Sequence, residues 1–124
     1  MVNNSIGIQT EVELANLLFD KGYFVIQIPT SHRGQPFDLV ALKDNNSIAL
    51  DVKNVKDGDT FNLSRLEANQ ITSFYTLLET GNNLSGLAIK FKKGWRFLPS
   101  YKALEYYESG IKSLHFYQLF EFFE

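Results

Sequence analysis

Asp38 and Asp51-Val52-Lys53 are the residues of this chain whose types and spacing could do chemistry. Twelve residues separate the two aspartates, and Asp51 closes the run Ser47-Ile48-Ala49-Leu50. Side chains alternate faces along a strand, so Asp51 and Lys53 point one way and Val52 the other. A hairpin joining the two segments sets Asp38 beside Asp51. Two carboxylates held close repel unless a cation or a proton lies between them. An oxygen-only set with open positions suits Mg²⁺, or Mn²⁺ in its place, and an adjacent ammonium suits phosphate chemistry. The expected centre is a metal-dependent phosphodiesterase site with DNA as substrate. Asp38, Asp51 and the Val52 carbonyl would hold the metal, and Lys53 would orient a water or steady charge on the phosphate. Asp-x-Lys alone is common and on an edge strand would be a mere surface pair; its meaning comes from the ensemble.

Two other polar residues fall on apolar helical faces. Glu11 lies near the middle of a face carrying Ile8, Val12, Ala15, Leu18 and Phe19. An unpaired charge there is costly, which is explained if the helix aims Glu11 at the metal, directly or through a water. Gln70 lies among Leu66, Phe74, Leu77 and Leu78 and could bond the site or orient Lys53. On the loop before Asp38, Ser31, His32 and Arg33 could meet a phosphate, and Lys56 and Lys90 are further candidates for DNA contact.

The elements that must position these residues follow from periodicity and turn chemistry. Residues 6–21 show a helical repeat that ends at Gly22, and residues 23–28 read as a strand stopped by Pro29. Two strands, 37–43 and 48–54, are joined by Asp44-Asn45-Asn46, a good turn sequence. Residues 56–60 read as a polar loop. Ser64 offers an N-cap, with Glu67 completing a capping box, for a helix that runs to Thr80 and stops at Gly81. Residues 84–91 and 95–98 form a hairpin turning at Lys92-Lys93-Gly94, and 101–108 a short helix. The aromatic tail from Leu114 packs onto the body or onto a second subunit. The order α-β-β-β-α-β-β-α predicts a mixed sheet flanked by helices in one α/β domain, residues 1–124.

Composition narrows the chemistry. The chain has 124 residues, 44% of them hydrophobic, which suits a packed globule rather than disorder. The absence of cysteine removes disulfides, thiolate nucleophiles and cysteine zinc sites. His32 and His115 are too few and too separated for a histidine metal cluster. No apolar run approaches membrane-spanning length, so a cytoplasmic, DNA-associated protein with no membrane partner is expected. The net charge of −2 is low for a nucleic-acid binder, so contact must rest on a local basic surface.

The motifs also carry a family resemblance. Gly7-Ile8-Gln9-Thr10-Glu11-Val12-Glu13-Leu14, Leu17-Leu18 and Gly22-Tyr23-Phe24-Val25 resemble the opening of archaeal-type Holliday junction resolvases, the Hjc group of the PD-(D/E)xK nuclease superfamily. Asp38-Leu39-Val40-Ala41, Asp51-Val52-Lys53, Gly86-Leu87-Ala88-Ile89-Lys90-Phe91 and Gly94-Trp95-Arg96-Phe97 continue the match. Phe61-Asn62-Leu63 with Gln70, and Leu98-Pro99, are also similar to the bacterial RecU resolvases. The resemblance spans roughly residues 7 to 100. It implies a restriction-endonuclease-like fold and an Mg²⁺-dependent endonuclease that resolves four-way junctions in DNA recombination and repair. It further implies catalytic or metal-binding roles for Glu11, Asp38, Asp51 and Lys53, a supporting role for Ser31, 5′-phosphate products, and a homodimer matching the two-fold symmetry of its substrate. Val12 and Gln27 stand where the family frequently has arginines, and Asp51-Val52-Lys53 where Glu-Val-Lys is usual. The alternatives are a restriction, nicking or repair nuclease on the same scaffold, or a non-catalytic DNA-binding relative.

Overall fold

Apolar runs rich in β-formers build a six-stranded sheet, and helices close its two faces. The structure is a computed structural model that describes residues 2–29 and 36–122, with residues 2–6 described through their backbone only. Helix α1 (Val2–Asp20) leads into strand β1 (Phe24–Gln27), then β2 (Leu39–Lys43), β3 (Asn46–Asn54) and the short β4 (Thr60–Asn62). Helix α2 (Ala68–Glu79) precedes β5 (Gly86–Phe91) and β6 (Gly94–Pro99). Helix α3 (Ser100–Glu108), β7 (Ser113–His115) and β8 (Phe120–Glu121) complete the chain. The main sheet runs β1-β2-β3-β5-β6-β8, and β4 pairs with β7 in a separate two-stranded ribbon. Only β3 and β5 run parallel, because α2 lies between them and carries the chain back to the same end of the sheet.

The expected mixed α/β architecture is what forms. Helix α1 packs on one sheet face, where Leu14 and Leu18 meet Leu39, Ala41, Leu50 and Ala88. The opposite face is covered by α2 and α3 through Phe74, Ala103 and Leu104 over Leu87, Ile89 and Leu98. Strand β5 is buried on both sides, so its sequence Gly86-Leu87-Ala88-Ile89 shows no polar alternation. At Gly86 an added Cβ would lie 2.2 Å from the Leu98 carbonyl oxygen, a close approach of β5 and β6 that admits only glycine.

Several sequence expectations need correction. The stripe Ile8, Val12 and Phe19 does not face the sheet; these side chains are 54%, 42% and 71% exposed. The buried stripe is Thr10, Leu14 and Leu18, so α1 carries two apolar faces and the pattern alone cannot say which one the sheet covers. Ser64 caps no α-helix. Residues Leu63–Arg65 form a 3₁₀ turn and Glu67 is the N-cap of α2. The Gln70 side chain returns to the Glu67 backbone N–H at 3.1 Å, so a capping-box bond exists three residues beyond the expected place. Strands β4 and β7 are unanticipated: three residues each are too short to show a period. The β2–β3 turn needs only Asp44 and Asn45, both at positive φ (53° and 67°), and Asn46 already belongs to the strand. The tail does pack onto the body through Leu114, Phe116 and Leu119, while Tyr117 and Phe120 remain exposed.

Candidate active site

The β2–β3 hairpin sets the register on which the site depends. Leu39 pairs with Leu50, and the Asp38 N–H donates to the Leu50 carbonyl at 2.8 Å. Beyond that point the ladder ends. The Val52 N–H, left without a strand partner on that side, donates to Asp38 Oδ2 at 2.7 Å. The Asp38 carboxylate is thereby clamped one residue from Asp51, as a hairpin between the two segments requires.

Asp51 and Lys53 share the sheet face that carries α2, as their two-residue spacing requires. The Lys53 ammonium lies 3.2 Å from Asp51 Oδ2 and 3.5 Å from Gln70 Oε1. Among the described residues the Lys53 ammonium is the group that meets the buried Asp51 Oδ2, as an ion pair rather than an aligned hydrogen bond. Burial pushes the Asp51 carboxyl up to about 8; Lys53 opposes this and the Asp38 charge adds to it. Gln70 is 3% exposed, and its amide oxygen is held by the first turn of α2, so the helix start fixes an acceptor for Lys53.

Glu11 arrives from α1, in the opposite layer. Burial, and then the charge of Asp38, raise its carboxyl to about 7. Asp38 is thus the group that both other acids feel. Asn54 Nδ2 donates to Thr10 Oγ1 at 3.1 Å, tying α1 to the end of β3 next to Glu11. Among the described residues, no three acidic or histidine side chains stand close enough to hold a metal between them. The three acids are therefore coupled electrostatically through Asp38 without forming a closed ligand cage.

The other expected residues divide. Ser31, His32 and Arg33 lie outside the described residues. Lys90 is ion-paired with Glu13 of α1, and Lys56 is exposed on the loop after β3. His115 lies in β7, where its Nδ1 accepts the Tyr117 N–H, a purely local role. Sequence reasoning passed over Arg65, whose Nη1 donates to the Asn54 carbonyl at 2.9 Å. A basic residue just ahead of a helix start was the available signal, hidden because the helix was begun too early. Asn54 and Thr10 carry no sequence signal, since only the crossing of α1 over β3 brings them together.

Comparison with known proteins gives concordant matches. The model of the archaeal Holliday junction resolvase family (Hjc) matches residues 2–121. Crossover junction endodeoxyribonuclease Hje of Saccharolobus islandicus (strain REY15A) is 30% identical over 108 residues, 82% of this chain and 77% of that protein. The structure of Hjc, a Holliday junction resolvase from the archaeal hyperthermophile Archaeoglobus fulgidus, matches with a TM-score of 0.59 and 26% identity, over 77% of this chain and 73% of that one. Among the described residues no helix is long and apolar enough to cross a membrane.

Proposed function

This chain belongs to the archaeal Holliday junction resolvase family, a family of DNA endonucleases, and on that premise we propose that it is a divalent-metal-dependent nuclease that resolves four-way DNA junctions as a homodimer. It acts on intracellular DNA as a single nuclease domain. The observation that carries the reading is the buried Asp51 carboxyl set beside Asp38 and Lys53.

The residues fit a hard cation. The donors are carboxylate oxygens, one of them buried with no aligned hydrogen bond among the described residues, and two acids pushed toward protonation mark a place where positive charge is wanted. Asp38, Asp51 and the Val52 carbonyl would hold Mg²⁺, with Glu11 joining directly or through water, and Mn²⁺ could replace it. When bound, the ion supplies Lewis-acid polarisation of a phosphoryl oxygen and lowers the pKa of water at the site. Lys53, held between Asp51 and Gln70, orients the attacking water and offsets charge growing on the phosphate. The water oxygen bonds to phosphorus, the bond to the 3′ oxygen breaks, and that oxygen takes up a proton, leaving a 3′-hydroxyl and a 5′-phosphate. Asp38 is kept in place by the Val52 N–H, and Gln70 gives Lys53 a second acceptor beside Asp51. The exposed stripe of Ile8, Val12 and Phe19 supports a subunit contact, since apolar side chains aligned on one helix face are costly to leave in water.

A cleavage panel of four-way junction, flap, nicked and linear duplexes with Mg²⁺ tests the reading. Paired symmetric cuts on the junction are expected, with Asp51→Ala and Lys53→Ala folded, DNA-binding and inactive. Cleavage retained by both variants would defeat the assignment of the site. Preference for linear duplex would move the protein to another nuclease class.

A further inference from the structure

A basic groove of about 590 Å³ leads away from Lys53. Lys53, Lys56, Arg65, Lys90 and Lys92 line it, five of the chain's twelve basic residues, and among the described residues no carboxylate does. The acids that meet its cations stand outside it: Asp51 pairs with Lys53, Glu13 pairs with Lys90, and Asp57 lies 3.4 Å from Lys92 in an exposed pair that water screens. A chain with a net charge of −2 has therefore gathered cations next to its catalytic lysine.

We propose that this groove seats the DNA backbone beside the scissile phosphate, and that Arg65 clamps a phosphate neighbouring the one that is cut. The inference rests on the nuclease reading above and adds the path of the strand. Arg65 differs from Lys53, Lys90 and Lys92, which face carboxylates, in being anchored by a neutral backbone group. One of its N–H groups donates to the carbonyl of Asn54, the residue after Lys53, at 2.9 Å. A guanidinium has five N–H donors in a planar fork, so four remain for phosphate oxygens, and an anchored fork loses less freedom on binding. Among the described residues the lining offers no exposed ring on which a base could stack, because the aromatic there, Phe91, is 1% exposed. Such a groove follows phosphates and not base identity, as an enzyme selecting a branch rather than a sequence requires.

The test is junction binding without divalent cation, followed by fluorescence anisotropy across a salt series on two immobile four-way junctions of unrelated sequence. Arg65→Ala, Arg65→Gln and the control Lys102→Ala are compared with wild type. Arg65→Gln drops the charge but keeps an amide donor for the Asn54 carbonyl, so it stands in if the alanine variant fails to fold. Lys102 pairs with Glu105 on α3 and lies outside the groove. Both Arg65 variants are expected to weaken binding about tenfold on both junctions and to lower the salt slope by about 1, with Lys102→Ala unchanged. Unchanged affinity in folded Arg65 variants, loss on one sequence only, or equal loss in Lys102→Ala would overturn the proposal. Inorganic phosphate at matched ionic strength should displace the junction from wild type more than from Arg65→Gln, and equal displacement from both would also overturn it. If wild type itself fails to bind a junction at low salt, the nuclease reading falls; if it binds and the Arg65 variants bind equally, only this inference does.

Discussion

Burial, with the Asp38 charge, pushes the Asp51 carboxyl up against the help of Lys53, which favours a proton there when no divalent cation is bound. That carboxyl stands at about 8 in the folded protein against an ordinary 3.8. Between those values the native state binds a proton that the unfolded chain releases, so stability falls as pH rises through the window. In EDTA the thermal midpoint of wild type should decline from about pH 4 to 8, and more steeply than that of Asp51→Asn. Mg²⁺ added at the alkaline end should recover the loss by taking the place of the proton. Identical pH slopes for the two proteins would show that Asp51 is not the group responsible. Gln70 serves both the cap of α2 and Lys53. Gln70→Ala should cost about 1 kcal/mol of stability, from the lost cap bond, and slow cleavage roughly tenfold. Gln70→Glu keeps the acceptor and should recover part of the rate; a full rate in the alanine variant would remove Gln70 from the site.

Among the elements, the β2–β3 hairpin controls the site most directly. A one-residue slip would turn Asp51 and Lys53 to the α1 face, and the tight turn at Asp44-Asn45 prevents it. Asn45 sits at φ 67°, which glycine adopts without the steric cost borne by other residues. Asn45→Gly should raise stability by up to about 1 kcal/mol, and Asn45→Val should lower it by a similar amount, measured by urea denaturation. A valine variant as stable as wild type would contradict the turn geometry. Strand β5 supports β3 from its other side, and the close approach at Gly86 leaves no room for a side chain there.

Over the whole molecule, the two apolar faces of α1 differ in what covers them. One is buried on the sheet through Leu14 and Leu18. The other, Ile8, Val12 and Phe19, is the surface expected to meet a second copy. Sedimentation should give twice the monomer mass for wild type, and the Val12→Glu/Phe19→Glu double variant should shift toward monomer while keeping its fold. A dimer unaffected by both charges would place the contact elsewhere, with the exposed Phe24 and Ile26 of β1 next to be tried.

Local chemistry wrote much of this into the chain. Alternation placed Asp51 and Lys53 on one face, Asp44-Asn45 marked the hairpin that brings Asp38 alongside, and Gly22 and Gly81 closed two helices. Those features depend on neighbours in sequence, so they can be read without a fold. Which stripe of α1 is buried, where α2 begins, the pairing of β4 with β7 and the tether from Arg65 to Asn54 depend on contacts between residues far apart in the chain. Only tertiary packing could decide them, because short strands and doubly apolar helices have no periodic signature of their own and take their orientation from what they pack against.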